Sequence, residues 1–488
     1  MQNAPTLRDT LSAPRQRLLS LGQSTVAQVL LLTVITLLAS ALRFFRLGAW
    51  SFWGDEWISV RRATTEFEGL LNIQPLSRIT TALALDWLGI SEWSARVGPA
   101  IFGVLTVVLL YILAREMFGS TTALVASLLL AINPWHLYWS QNARFYTALL
   151  LFFTLALFFF YMGFERDRPL YLLASLFFLG LAVQERHLAA FLGPIAVFYV
   201  LLLFLLRFER PKGFRLRNLA LFFGPGILAG AWLAYSALIV RGSQWDTTFA
   251  FINNNPIWLL GGVVFYITIP VVSLAAFAAL HLLKNKSRAG LLLTLTAVVP
   301  LASILVLSLF LYTANRYVFI SLTSIILLAA VGARELIARM PRDGRLLAYG
   351  AALILLIAPL GDNLLYFQYQ NGNRDDWKGA FELIKARMES GDRVASTKSD
   401  LADFYIQDET MSMQYFNSRI DEIAASEDRI WFVLDLTAPG KTPELTRWVR
   451  RNADLVATRD VTVQARTFPL HIYLYEGADA QSTAITSP

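Results

Sequence analysis

The chain has 488 residues, 56% of them hydrophobic and only 16% charged, far more apolar than a soluble protein of this size. Its net charge of +7 does not indicate a nucleic-acid partner: from Asn371 to the end 14 Lys/Arg face 19 Asp/Glu, so the basic excess belongs to the apolar part. No cysteine is present, which excludes disulfides, iron–sulfur clusters and thiolate zinc sites.

Residues 1–25 hold Arg8, Arg15 and Arg17 without apolar periodicity and are expected to be a cytoplasmic amino terminus. Val26 to Phe45 then forms an apolar run of the roughly 20 residues that a membrane span requires. Ala39-Ser40-Ala41 has the small residues of a cleavage site, but the run continues past it, so this span is expected to be retained. The next segment, 46–96, is too polar to cross a membrane and carries Asp55, Glu56, Glu66, Glu68 and Asp86; Ile79 to Leu88 alternates like an interfacial helix. Ten further apolar runs follow, near 98–114, 121–139, 145–162, 169–183, 188–206, 219–240, 257–283, 289–312, 317–332 and 346–361. With the first they predict a polytopic α-helical membrane domain over 26–361 with about eleven transmembrane helices.

With the amino terminus inside, 18 of the 28 basic residues before Asn371 fall in inside loops, and of the outside ones only Arg144, Arg186, Arg241 and Arg316 lie beyond the first loop. The positive-inside rule then places residues 371–488 outside. There the composition becomes that of a soluble unit, with helical patterns at 377–388, 400–406 and 443–450 and strand-like runs at 393–396, 430–434, 455–458 and 471–475. These predict an extracytoplasmic α/β domain that folds by itself.

Three places can carry chemistry. Trp50-Ser51-Phe52-Trp53-Gly54-Asp55-Glu56-Trp57 sets two adjacent acids among four aromatic rings just outside the first span; the plain alternative is an interfacial aromatic belt with two solvated acids. Neighbours on a helix point about 100 degrees apart, so the acids should differ in role. Asp55 is the expected general base, because Gly54 permits close approach of the backbone, while Glu56 braces the loop or joins Asp55 on a divalent ion. Second, Arg144-Phe145-Tyr146, Arg186-His187 and Arg316-Tyr317 stand at outer ends of spans, suited to holding a lipid phosphate, against a reading as snorkelling side chains or a Glu185–Arg186 pair. Third, Gln74, Arg78, His136, Arg186 and His187 are candidate substrate contacts, and Asn253-Asn254-Asn255 can touch a sugar or simply form a turn. His136 is expected to be interfacial rather than a metal ligand, and Asp375-Asp376-Trp377 to start a helix. No charged residue lies mid-span, which weighs against an ion-coupled transporter.

Taken in order, these residues resemble the GT-C class of membrane glycosyltransferases, in particular the bacterial family 39 group that includes protein mannosyltransferases and the lipid A aminoarabinose transferase. The resemblance rests on Asp55-Glu56 after the first span, Pro75-Leu76, Ser91-Glu92 leading to Arg96-Val97, Ser140 to Tyr146, Arg316-Tyr317 and Asp376-Trp377-Lys378; Gln74 stands where that family often has His. It implies a GT-C fold in a bacterial plasma or inner membrane and an enzyme that moves a sugar, hexosyl or pentosyl, from a polyprenyl-phosphate donor to an acceptor hydroxyl. In that picture Asp55 and Glu56 are catalytic, and Arg96, Arg144, Tyr146, Arg316 and Tyr317 bind the donor phosphate. No cofactor is required, although a divalent metal at the acid pair is compatible. The alternatives are a lipid-linked saccharide flippase and a non-catalytic assembly subunit, both using membrane lipid and neither nucleic acid.

Overall fold

The structure, a computed structural model, describes residues 25–65, 74–235, 255–340, 345–407, 411–424, 429–463 and 466–477. The amino-terminal arginines, Glu66, Glu68, Arg241, Asn253, Asn254 and Arg342 lie outside the described residues. The chain divides into two compact units, one of residues 1–45, 68–80 and 97–361, the other of 46–67, 81–96 and 362–488.

The first unit is helical. Its elements are α1 (Thr25–Phe44), the start of α3 (Pro75–Leu88), α4 (Glu92–Phe118) from Val97 on, α5 (Ser120–Ile132), α6 (Pro134–Ser140), α7 (Tyr146–Glu165), α8 (Pro169–Glu185), α9 (Leu192–Leu205), α10 (Leu216–Tyr235), α11 (Pro256–Ile267), α12 (Ile269–Lys284), α13 (Arg288–Leu307), α14 (Leu322–Arg339) and α15 (Arg345–Gln368) up to Gly361. Short 3-10 turns, His187–Phe191 and Asn315–Ser321, lead into α9 and α14. Six of the described helical segments are long and apolar enough to cross a membrane, or seven if α11 and α12 form one broken span. On α1, Val26, Val29, Leu30, Val34 and Leu37 are exposed, a surface that only lipid would cover favourably. The sequence-predicted span at 257–283 is not straight: α11 and α12 are bent by 96°, and Thr268 at the break has φ of 78°, unusual for a β-branched residue. The middle of the unit is α14, buried almost throughout from Leu322 to Ala333. Gly332 lets it approach α12 closely, since a Cβ there would stand 2.3 Å from the Leu274 carbonyl oxygen.

The second unit holds α2 (Gly54–Thr65), the rest of α3, the first turn of α4, the end of α15 and an α/β layer. That layer comprises α16 (Trp377–Lys385), β1 (Arg393–Ser396), α17 (Ser399–Ile406), β2 (Met411–Ser412), α18 (Met413–Asn417), α19 (Ile420–Ala424), β3 (Ile430–Leu434), α20 (Ala438–Lys441), α21 (Pro443–Asn452), β4 (Asp454–Val463) and β5 (Arg466–Tyr475). The sheet order is β2-β1-β3-β5-β4. β2, β1 and β3 run parallel, and β5 and β4 are antiparallel additions. β3 is buried at every residue, and Phe432, Leu434, Phe416 and Val449 form the core beneath it. The expected strands are present, with β4 and β5 longer than their apolar runs, while the two-residue β2 has no sequence signal of its own. As expected, Asp375-Asp376-Trp377 starts a helix: the Asp376 carboxylate accepts the Gly379 amide at 3.0 Å. The expected boundary is corrected, because 46–67 and 81–96 belong to this unit rather than to the membrane domain alone. Gly372 shows the close fit: with φ of 62°, a Cβ on it would stand 2.6 Å from the Trp50 ring.

Candidate active site

The stretch expected to be a loop turns into α2 at Gly54, so Asp55 and Glu56 share a first helical turn. Their adjacency sends them to different surroundings. Glu56 is fully buried, accepting Arg96 Nε at 2.7 Å and Arg96 Nη2 at 2.8 Å, with Arg374 Nη1 at 3.7 Å. Asp55 remains part-exposed.

Arg96 spends all five donor hydrogens inside this unit. Besides Glu56, Nη1 donates to the carbonyls of Leu47 at 2.9 Å and Trp50 at 3.0 Å, and Nη2 to that of Ser51 at 3.0 Å. Two expectations are thereby corrected. Arg96 has no hydrogen left for a donor phosphate, and Glu56 is the counter-ion that makes its burial tolerable, not a catalytic acid. Nor does the pair suit a shared divalent ion, because both Glu56 oxygens are taken by guanidinium N–H groups while Asp55 lies on another face. Arg96 therefore stitches together the turn that presents Asp55.

Aromatic packing completes that turn. Phe52, Trp57 and Phe404 have ring centroids 4.9 to 5.7 Å apart. The Tyr405 hydroxyl accepts the Phe52 amide at 2.8 Å and donates to Glu92 at 3.0 Å. Burial, then the Glu92 charge, pushes that hydroxyl's pKa up, so it stays protonated. Ser51 donates to the Asp375 carbonyl at 2.6 Å. Burial, then the Asp435 charge, pushes the Asp375 carboxyl up to about 6.

The arginines of the first unit form a second constellation. The guanidinium groups of Arg144 and Arg186 both lie over the Phe145 ring, at 5.3 and 5.6 Å. Arg316 lies 5.9 Å from the Tyr317 ring centre. Arg316, Arg144 and Arg186 are all close enough to act electrostatically on the Tyr146 hydroxyl. The three cations come from three separate stretches of sequence, each where one helix ends and another begins. Arg144 and Arg316 are part-exposed, and Arg186 and its neighbour His187 are exposed. Three cations gathered on one aromatic patch suit a polyanionic group such as a phosphate ester.

Neighbouring side chains hold these ends in place. Gln141 Nε2 donates to the carbonyls of Leu42, Arg43 and Phe45 at 3.2, 3.0 and 2.8 Å, closing the carboxyl end of α1. In return Arg43, wholly buried, donates to the Ala131 and Leu130 carbonyls at 2.9 and 3.3 Å and contacts His136 Nδ1 at 2.6 Å. His136 is fully buried. It is a partner of Arg43 and not the substrate contact expected from the sequence. Glu185 does not pair with Arg186; it accepts the Leu76 and Ser77 amides at 2.8 and 3.3 Å and the Ser77 hydroxyl, capping the start of α3. Gln74 enters that helix at φ of 56°, its amide on the Gln184 carbonyl at 3.2 Å, and Arg78 is buried in the following turn. Sequence reasoning missed the structural roles of Gln141, Arg43 and Glu185, and it missed Arg374 altogether. Only Arg43, a charge near the end of an apolar run, left a visible signal.

Apolar helices in one unit and an α/β layer with an acid-bearing turn in the other define an integral membrane protein with the GT-C fold of membrane glycosyltransferases. Residues 75–223 match the family model of dolichyl-phosphate-mannose-protein mannosyltransferases. Over 235 residues the chain is 30% identical to an uncharacterized protein of Aquifex aeolicus, covering 45% of each. Over 126 residues it is 29% identical to the putative mannosyltransferase YkcB of Bacillus subtilis, covering 25% of this chain and 18% of that protein. The chain thus spans less than half the length of these curated relatives. Among solved structures, ArnT of Cupriavidus metallidurans bound to undecaprenyl phosphate aligns with a TM-score of 0.57 at 14% identity, covering 92% of this chain and 98% of that one. The archaeal oligosaccharyltransferase AglB of Archaeoglobus fulgidus, in complex with an inhibitory peptide and a dolichol-phosphate, aligns with a TM-score of 0.56 at 13% identity, covering 86% and 71%.

Proposed function

We propose that this protein is a glycosyltransferase that moves a sugar from a polyprenyl-phosphate donor to an acceptor hydroxyl at the extracytoplasmic face of a bacterial plasma or inner membrane. The observation that carries the reading is the gathering of Arg144, Arg186 and Arg316 around Phe145 and Tyr146. The ArnT and AglB structures were determined with undecaprenyl phosphate and a dolichol-phosphate, lipid phosphates of the kind such a site would hold.

In this mechanism the bond between the anomeric carbon and the phosphate oxygen breaks, and the polyprenyl phosphate leaves with the extra negative charge. The three guanidinium groups, with the hydroxyls of Tyr146 and Tyr317, take up that charge, so the leaving group needs no proton. The acceptor oxygen forms its bond to the opposite face of the anomeric carbon, with inversion, and its proton passes to Asp55 as the hydroxyl becomes acidic. The sugar is a hexose or a pentose. No cofactor takes part in this scheme.

Release of polyprenyl phosphate from labelled donor by the purified full chain tests the reading; binding of donor without release would favour a flippase. Replacing Arg144 or Arg316 by Ala should weaken donor use roughly 10- to 150-fold, the effect of a lost charge-assisted hydrogen bond of about 1.5 to 3 kcal/mol. Unchanged donor kinetics in both variants would return them to snorkelling anchors.

A further inference from the structure

The turn that bears Asp55 is held on one side by Arg96, through the Trp50 and Ser51 carbonyls, and on the other by the α/β layer, through α17. That helix follows β1, which lies between β2 and β3 in the sheet, so its start is fixed by a strand paired on both edges. Leu401, Ala402 and Ile406 are its buried residues. Asp400 and Phe404, four positions apart and so on one face, meet α2 and the turn before it. Asp400 pairs with Arg61, and the Phe404 ring packs on Trp57 at 4.9 Å and on Phe52 at 5.6 Å.

Tyr405 is the polar part of this hold. A phenol has one hydrogen to give and lone pairs with which to accept. The Tyr405 hydroxyl gives its hydrogen to Glu92 at 3.0 Å and accepts the Phe52 amide at 2.8 Å. Glu92 is itself held at 3.3 Å by Lys378 Nζ, from the first turn of α16. The Tyr405 ring lies nearly parallel to that of Phe381 on the same helix, with centroids 6.0 Å apart. The hydroxyl is thus fixed from the layer, and it fixes the amide in turn. Phe52 stands three residues before Asp55, and α2 begins between them at Gly54. A shift of the Phe52 amide therefore travels along a short stretch of backbone to the Asp55 carboxylate. The Arg61–Asp400 pair is largely exposed and adds little, so the hold rests on Tyr405 and Phe404.

We propose that Tyr405, with Phe404 beside it, is a positioning residue for Asp55, and that setting this base is what the α/β layer contributes to transfer. The role rests on the transferase reading. A general base must stand within hydrogen-bond reach of the acceptor hydroxyl, and a displacement of about 1 Å can cost roughly 100-fold in rate. Removing the Tyr405 hydroxyl frees the Phe52 amide and alters neither Asp55 itself nor the arginine patch.

The experiment compares the wild type, Tyr405→Phe, Asp55→Asn and the double variant as full chains in detergent. It reads release of polyprenyl phosphate from labelled donor, equilibrium donor binding and hydrogen exchange at the Phe52 amide. Tyr405→Phe is expected to lower kcat about 10- to 100-fold with donor affinity unchanged, and to speed exchange at Phe52 at least about 10-fold. In the Asp55→Asn background it is expected to remove nothing further, because a residue that acts through Asp55 loses its effect with the basic oxygen. Wild-type kcat in Tyr405→Phe, an equal fold loss in both backgrounds, or donor affinity falling in step with kcat would each overturn the proposal. Should Tyr405→Phe not fold, Phe404→Leu, which removes the ring contacts and keeps an apolar side chain, decides by the same readings of kcat and donor binding. Wild-type protein that binds donor without releasing polyprenyl phosphate, while its Phe52 amide is protected and Tyr405→Phe frees it, would count against the transferase reading alone.

Discussion

Asp55 and Glu56 are neighbours that the fold sends to different surroundings, Asp55 part-exposed and Glu56 buried against Arg96. Asp55→Asn keeps size and hydrogen bonding while removing the basic oxygen, so turnover should fall about 100- to 10,000-fold. Donor binding and the unfolding midpoint should hold, and wild-type turnover would end the base assignment. Glu56→Gln should act on stability first: it leaves the Arg96 guanidinium buried without its counter-ion, a change that typically costs about 3 to 5 kcal/mol, seen as a lowered unfolding midpoint in detergent. Asp375 gives a pH signature. Its folded pKa of about 6 lies above its ordinary 3.8, so it adds nothing below pH 3.8, where it is protonated folded or unfolded. Between those values the unfolded chain ionises first and stability is lost, by roughly 2 to 3 kcal/mol above pH 6. Asp375→Asn should therefore raise the unfolding midpoint at pH 7.5 and leave it unchanged near pH 4. A midpoint lowered at pH 7.5 would reverse the sign.

In the proposed reaction the ends of the elements carry more of the function than their middles. Arg144, Arg186 and Arg316 each stand at a junction between helices, and the junctions are held by caps of unusual reach: Gln141 on the α1 carbonyls, Glu185 on the α3 amides. The residue types at these caps are ordinary polar ones, so the sequence gives no sign of partners about 100 positions away. Close helix packing is the other element-scale device. Gly332→Ala would push a methyl group against the Leu274 carbonyl, 2.3 Å from its ideal position, and should cost about 1 to 3 kcal/mol through overpacking. A circular-dichroism melt of that variant checks it, and an unchanged midpoint would mean that α12 and α14 separate freely. The break at Thr268 belongs to the same scale: a hydropathy pattern reads 257–283 as one apolar run because composition records no backbone angle.

For the whole molecule, the division of the chain into units is the main departure from the linear reading. Residues 371–488 have the pattern of a self-sufficient domain, but their unit also takes in 46–67 and 81–96. Arg374 faces Glu56, and Tyr405 holds Phe52 and Glu92. A fragment starting at Asn371 would leave those groups unpaired and should fail to show a cooperative unfolding transition in calorimetry; a sharp transition would show that the contacts are dispensable. We further propose the inside placement of the basic loops, which labelling of single cysteines at Lys286 and Ser399 by an impermeant reagent in intact cells would decide. Modification is expected at Ser399 only.

The amino-acid sequence by itself determined the rough limits of the apolar segments, the α/β character of residues after Asp375, and the candidacy of Asp55 and of the outer arginines. These are properties of local composition: an apolar run is favourable in lipid wherever it packs, and alternating or helical periodicity survives without neighbours. Only the tertiary structure decided that Glu56 and Arg96 neutralise each other, that Arg43 holds His136, and that Arg144, Arg186 and Arg316 meet on one patch. Those outcomes depend on which distant group satisfies a buried charge or an open helix end. Burial in a low-dielectric interior makes such pairing obligatory, while the sequence alone does not say with whom.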